Sequence, residues 1–378
     1  MSTIKVNNIV PPNVGEGVSI DGLQMPTAGA LSNRNLIING GMQLAQRGTS
    51  STVSSYGTVD RVRTSYSGGT ITQSQEDLIS TDTPYSLGFR KNWRLTNTAP
   101  ITNLANHHRR TLYRIEAQDI ANSGWDYTNS NSYITISMWA RSSVAQTFNW
   151  FMQAIDGTVQ RYPWEVTLAA NTWTKITKSF PGNSNLTFDN DNGLGLTIDM
   201  GMYWGTVFTT STVPLDQWGA FANDERTRDF DATWGQTTGA TFDLVGVQLE
   251  VGSKATPFEH ESYSQTLAKC QRYYYQVHLG DQIDTVHVPM MRFEAAAGAG
   301  YAHLTFPCEM NDNPNFTFTG TAHSASGYAG NPRLNSSTKS SASLISSRTM
   351  SANKVVYLRA ISSSNGSDVL ILNFEAEL

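Results

Sequence analysis

The sequence predicts an all-β protein: short N-terminal strands, a large jelly-roll β-sandwich, a short linking helix and a small C-terminal antiparallel β-sandwich. Three observations predict it. Apolar and polar residues alternate with period two over many short segments, as in Tyr133-Ile134-Thr135-Ile136-Ser137-Met138-Trp139. Charged residues are 15% of the chain, against about 25% in ordinary domains, and Ser, Thr, Asn and Gly fill the gap. Turn signals such as Pro181-Gly182-Asn183 and Asn190-Asp191-Asn192-Gly193 punctuate the alternating segments. The length of 378 residues allows two or three domains.

Residues 1–33 hold two β-like stretches, Ile4 to Val10 and Gly17 to Met25, separated by Pro11-Pro12-Asn13 and Gly15-Glu16-Gly17. So few large apolar side chains cannot bury a core alone, so the segment needs a partner. The alternation Ser2-Thr3-Ile4-Lys5-Val6 argues against a disordered tag.

Residues 34–260 hold all nine tryptophans. The strand through Tyr133 to Arg141 carries apolar groups on both faces, which predicts a central position in a sandwich. Thr172 to Phe180 alternates and should keep one face wet. Gly193 to Met200 and Thr241 to Leu249 are further strands. The pattern of many short strands is that of a jelly-roll sandwich.

A linking helix is expected over residues 261–278, with Ser262 as N-cap and Gln265 as its capping-box partner. Tyr263, Leu267, Cys270 and Tyr274 then form one stripe. That stripe serves either packing on its own sandwich or a three-chain bundle. Residues 279–378 lose tryptophan and read as six strands: Thr285 to Phe293, Ala302 to Phe306, Asn315 to Gly320, Ser341 to Thr349, Lys354 to Ser362 and Val369 to Glu377. Ser324 to Ser340 and Ser363 to Asp368 are expected loops.

Two phrases are more specific. One is Asn35-Leu36-Ile37-Ile38-Asn39-Gly40-Gly41-Met42-Gln43-Leu44-Ala45-Gln46-Arg47-Gly48-Thr49. The other runs from Phe242-Asp243-Leu244-Val245-Gly246-Val247-Gln248-Leu249-Glu250 through Ala255-Thr256-Pro257-Phe258-Glu259 to Cys270-Gln271-Arg272-Tyr273-Tyr274-Tyr275. Each reads as a strand with glycine or polar punctuation, and the second adds a helix. Together with Ser137-Met138-Trp139-Ala140-Arg141 and the strand from Thr172-Trp173 to Pro181-Gly182, they resemble the jelly-roll domain of bacteriophage tail fibres and tail-tip adhesins. Pro289-Met290-Met291-Arg292 resembles the strand that opens their terminal domain.

The resemblance implies a virion protein, a homotrimer, whose residues 1–33 dock on a phage tail or baseplate protein. It implies attachment to a bacterial surface glycan or outer-membrane protein. It also implies a fold shared with carbohydrate-binding modules, which often hold a structural calcium; by position, Asn39 and Asp243 are the candidate ligands. No other cofactor is expected.

No enzyme is expected. The chain carries no GxSxG elbow, P-loop, dinucleotide fingerprint or HExxH. The seven histidines do not pair at metal-ligand spacing, and a ring of one histidine per chain on a trimer axis stays open. Cys270 and Cys308 are too few for a disulfide framework and read as buried side chains. Asp189-Asn190-Asp191-Asn192-Gly193 starts like a calcium loop, but Met200 stands where the glutamate should be. Asp224, Glu225, Asp229 and Asp231 interleave with Arg226 and Arg228 and read as a self-neutralising loop. The net charge of −5 gives no basic footprint for nucleic acid, and no apolar run reaches the roughly 20 residues of a membrane helix. Met1 to Lys5 lacks signal-peptide features, which predicts synthesis in the host cytoplasm.

Aromatic residues carry the binding signal, because the C–H faces of sugars stack on Trp and Tyr. Trp150, Trp164 and Trp204, set among polar neighbours, are the candidate stacking rings, while Trp139 and Trp173 read as core. In the C-terminal domain Tyr301, His303, Tyr328, Arg333, Arg348, Tyr357 and Arg359 are the candidate receptor contacts. The expected function is multivalent, non-covalent host attachment. The rivals are a capsule-degrading tail spike and a purely structural tail subunit.

Overall fold

The computed structural model describes residues 19–20, 23–24, 28–29, 32–280, 291–296, 299–319, 333–345, 355–358 and 369–378. Strands far outweigh the four short helices among the described residues, so the protein is all-β. Two compact units divide the chain, Met1–Tyr263 and Ser264–Leu378.

In the first unit, β1 (Ser19–Ile20) and β2 (Leu23–Gln24) pair as a small hairpin. Of the stretch Gly17 to Met25 the described residues are these two short paired strands, while Ile4 to Val10 lies outside the described residues. Then come β3 (Ser50–Ser51), β4 (Arg63–Tyr66), β5 (Thr70–Asp77), helix α1 (Thr83–Ser86), β6 (Lys91–Ala99) and β7 (His108–Glu116). Helix α2 (Ala117–Ala121) precedes β8 (Tyr133–Ser142), β9 (Gln146–Ala154), β10 (Gln160–Leu168) and β11 (Thr174–Pro181). The unit closes with β12 (Leu194–Trp204), β13 (Gly219–Ala220), α3 (Thr233–Gln236) and β14 (Thr241–Val251).

These strands form two six-stranded antiparallel sheets in the orders β11-β8-β14-β6-β5-β3 and β13-β10-β9-β12-β7-β4. Their inner faces share one core, a sandwich of jelly-roll type. Strand parity decides which side chains enter it. On β8 the inner set is Ile134, Ile136, Met138 and Ala140; on β9 it is Phe148, Trp150 and Met152; on β10 it is Tyr162, Trp164 and Val166. Trp150 and Trp164 are register partners and meet edge to face at 6.1 Å.

In the second unit, α4 (Tyr263–Gln271) is followed by β15 (Tyr274–Gly280), β16 (Met291–Ala296), β17 (Ala299–Thr305), β18 (Asn315–Thr319), β19 (Arg333–Ser337), β20 (Ser341–Ile345), β21 (Val355–Leu358) and β22 (Val369–Glu375). They make a three-stranded sheet, β15-β22-β18, and a five-stranded sheet, β19-β20-β17-β16-β21. Leu304, Leu344, Phe374 and Leu372 from the two sheets share a small core.

Three expectations need correction. The helix is shorter than 261–278: Tyr274 opens a strand paired with β22, so it cannot continue a helical stripe. Within the helix the buried residues are Thr266 and Cys270, while Tyr263 is 61% exposed. The loop expected from Ser324 to Ser340 contains β19. The phrase Asn35 to Thr49 is a turn-rich segment rather than a strand until Ser50, because Asn39 and Met42 adopt left-handed φ of 60° and 59°.

Candidate functional site

The two specific phrases meet in space. The Leu36 N–H donates to the Leu249 carbonyl at 2.8 Å, and the Val247 N–H donates to Gly40 O at 3.0 Å. A Cβ on Gly40 would stand 2.0 Å from Val247 O, so the close approach requires glycine. The Glu259 carboxylate accepts the backbone N–H groups of Asn33, Arg34 and Asn35 at 2.6–3.1 Å. The Glu250 carboxylate accepts Thr256 N–H at 2.8 Å and the Thr256 hydroxyl at 2.6 Å. Gln248 Oε1 accepts the Glu259 N–H at 2.8 Å. This network pins residues 255–260 against the outer face of β14 at both ends.

On that face β14 is bulged: its register with β8 shifts between Val245 and Gln248, at Gly246 with φ +67°. A Cβ there would meet the Phe89 ring at 2.7 Å, so glycine lets Phe89 lie against the strand. Phe258 packs on Phe89 edge to face at 4.8 Å, and His260 lies 5.0 Å from both rings. His260 Nε2–H donates to Leu87 O at 3.0 Å, which ties the strap to the segment after α1.

The result is a cleft of about 440 Å³. It is lined by the Phe89–Phe258–His260 cluster, by the register partners Trp139 and Lys175, and by Ser137, Thr256 and Gly246. Such a volume suits a small ligand, for which about 300–1,000 Å³ is usual. Trp139 is half-buried, while Lys175 and His260 are exposed. Beside the cleft, Asp82 accepts Trp173 Nε1–H at 2.8 Å, Arg141 Nη1–H at 2.9 Å and the Ile79 N–H at 3.0 Å. Partial burial pushes the Asp82 carboxyl up, but these donors outweigh it and hold it below the ordinary carboxylate value. Arg141 also lies 4.6 Å over the Trp173 ring.

The predicted stacking rings are elsewhere. Trp150, Trp164 and Trp204 are 0%, 2% and 2% exposed, so no sugar face can reach them. Trp139 and Trp173, expected in the core, are only partly buried and pack against the core cluster from its edge. Phe89, Phe258, His260 and Lys175 were not anticipated. The available signal was the closing phrase itself, with two glycines and a Pro-Phe-Glu strap behind a long strand.

The calcium pair does not assemble. Asp243 Oδ1 accepts Arg94 Nε–H at 2.7 Å and Asn92 Nδ2–H at 3.0 Å, and Oδ2 accepts Arg141 Nε–H at 2.9 Å. Two guanidinium groups leave this carboxylate no room for a cation. Asn39 spends its side chain on the turn, with Nδ2–H donating to the carbonyls of Leu44 and Asp60 and Oδ1 accepting Leu44 N–H. Among the described residues no group of three or more His, Cys, Asp or Glu could hold a metal.

The outer face of the other sheet is filled by its own loop. Arg226 lies 4.5 Å over the Trp204 ring and Arg110 lies 4.7 Å from it. Arg110 pairs with the buried Asp199, whose carboxyl burial pushes up against the pull of that guanidinium. The loop expected to neutralise itself pairs outward instead: Glu225 meets Arg161 and Arg228 meets Glu165, both at 3.6 Å, while Arg226 turns in to the aromatic rings.

In the second unit, register places Tyr301, His303, Arg333 and Tyr357 on one face of the five-stranded sheet. Tyr301 pairs with Ile345, Ile345 with Arg333 and Glu294 with Tyr301, and Arg292 pairs with Tyr357. The opposite face carries Leu304, Leu334 and Leu344 to the core. His303 and Arg333 are exposed. Tyr328, Arg348 and Arg359 lie outside the described residues.

No protein-family model matches the sequence, and no curated protein matches it. Solved structures are similar at low identity. A protein named for sugar binding from Bacteroides thetaiotaomicron is 10% identical over 57% of this chain and 99% of its own, with a TM-score of 0.31. The family 11 carbohydrate-binding module of a Clostridium thermocellum cellulosomal cellulase is 14% identical over 56% of this chain and 98% of its own, with a TM-score of 0.28. The tandem CBM22 domain of Paenibacillus barcinonensis Xyn10C is 9% identical over 93% of this chain and 91% of its own, also with a TM-score of 0.28.

Proposed function

We propose that the protein binds carbohydrate without turning it over, through the cleft between Trp139 and the Phe89–Phe258–His260 wall. The cleft carries this reading. It joins the partly buried rings of Trp139 and Phe258, backed by the buried Phe89, to the exposed His260 imidazole and Lys175 ammonium. Rings for C–H faces and scattered hydrogen-bonding groups are what a sugar asks of a site. A glycosidase needs two carboxyl groups roughly 5–9 Å apart. Among the described residues that line the cleft there is no Asp or Glu, which favours binding over hydrolysis.

The finer reading is a phage tail fibre subunit, made in the host cytoplasm and carried on the virion. The resemblance of the opening and closing phrases supports it. In that reading, residues 1–33 dock on a tail or baseplate protein and three chains assemble. Light scattering on the purified chain should give three times 41.5 kDa. A monomer would remove the fibre reading and leave a free carbohydrate-binding protein.

Binding is tested by presenting purified host-surface polysaccharides to the full chain and to Trp139→Ala. The wild type should bind at least one, and the variant should lose roughly tenfold or more. Release of reducing sugar from a bound polysaccharide would instead establish an enzyme. A second receptor surface is favoured by one observation, the shared sheet face of Tyr301, His303, Arg333 and Tyr357. If it is the contact, Arg333→Ala with His303→Ala should abolish cell binding while Trp139→Ala leaves it intact.

A further inference from the structure

The charge distribution around the cleft points beyond sugar in general. We propose that the cleft takes an acidic sugar, its carboxylate at Lys175 and one ring face on Trp139; this rests on the carbohydrate reading of the same cleft. Lys175 and Trp139 are direct register partners on the antiparallel strands β11 and β8. Directly opposed residues carry their Cβ atoms about 4.5–5.5 Å apart on the same side of a sheet. The ammonium and the indole are therefore neighbours by construction, and both line one cavity.

The acids of this sheet face have partners: Glu76 accepts the Ser74 hydroxyl at 2.6 Å. Glu259 is held by three backbone N–H groups and Glu250 by Thr256. Asp82 and Asp243 are held by Arg141, and Asp243 also by Arg94. Lys178, three residues along the same strand, is paired with Asp216 at 2.5 Å, and Lys91 with Asp77 at 2.6 Å. Lys175 has no carboxylate within ion-pair distance among the described residues, and it is the one lysine or arginine among those lining the cleft. An incoming carboxylate would meet a cation with no competitor and a flat apolar ring beside it, while the exposed His260 remains for hydroxyls.

The test is an array that pairs uronic- and sialic-acid oligosaccharides with their carboxyl-reduced, neutral counterparts. It is probed with the full chain and with Lys175→Met and Trp139→Ala. The acidic member of a bound pair should bind about tenfold tighter than its reduced partner, and raised salt should shrink that ratio. Lys175→Met keeps the length of the stem on an exposed edge-strand position. It should abolish the preference while retaining weak binding to both members, whereas Trp139→Ala weakens both. Equal binding of acidic and reduced members by the wild type would overturn the proposal and leave the carbohydrate reading standing. Binding to no sugar on the array would overturn both.

Discussion

The two outer faces of the sandwich are built from the same kinds of residue and come to opposite ends. On the β7–β12 face, Arg110 pairs with Asp199, Arg226 and Arg110 cover Trp204, and His108 stacks on it at 5.0 Å. On the β8–β14 face, Arg141 and Arg94 likewise consume Asp243 and Asp82. There, however, the bulge at Gly246 and the strap at residues 255–260 hold a cavity open beside Trp139. A tryptophan among cations becomes a buried structural ring when a loop closes over it. It becomes a ligand platform when the backbone props the loop away. Composition does not separate the two outcomes; the bulge and the strap do.

The comparison breaks most visibly at Arg110. Arg110→Met leaves Asp199 buried without its cation and should cost about 3–5 kcal/mol in urea unfolding, with sugar binding at the other face unchanged in the fraction still folded. His108 gives the same face a pH signature. Burial, with Arg110, Arg226, Arg109 and His107 nearby, lowers its pKa from 6.5 to about 3. Between those values the unfolded chain holds a proton that the folded chain lacks. Stability should thus be full above pH 6.5 and fall as the pH drops toward 3, by at most about 1.4 kcal/mol per pH unit. His108→Gln should remove that part of the slope in denaturation curves taken across the window.

On the open face the effects should move from stability to binding. Gly246→Ala forces a side chain into a left-handed φ and against Phe89, so it should cost about 1–3 kcal/mol and also weaken sugar binding. Trp139→Ala should cost less stability than a fully buried tryptophan, about 1–2 kcal/mol by thermal melt, and lose tenfold or more in affinity.

Much of the fold was legible because period-two alternation is written directly in the strands; β8, β12 and β14 fall where the pattern puts them. The choice of inner face was harder. On β8 both sets are apolar, and the Ile134–Ile136–Met138–Ala140 set packs inward, leaving Trp139 outside. On β9 and β10 the polar partners Asn149, Gln153, Arg161 and Glu165 mark the outer faces, so the core position of Trp150 and Trp164 was readable from parity. The helix was overrun because Tyr273 to Gln276 suits a helical stripe and a strand equally, and pairing with β22 decides it. The cleft was not legible, since it joins residues near 88, 139, 175 and 258 across a bulge that only the pairing register reveals. The specific phrases were recognisable but their role was not: they form the seam that positions the strap, and the contacts they make are with each other.

The most direct test of the central claim is backbone hydrogen exchange on the full chain with and without a saturating oligosaccharide. The account predicts added protection at residues 87–89, 137–139, 174–176 and 255–260. Protection confined to residues 291–305 and 333–345 of the second unit, or to the Arg226–Trp204 face, would contradict it.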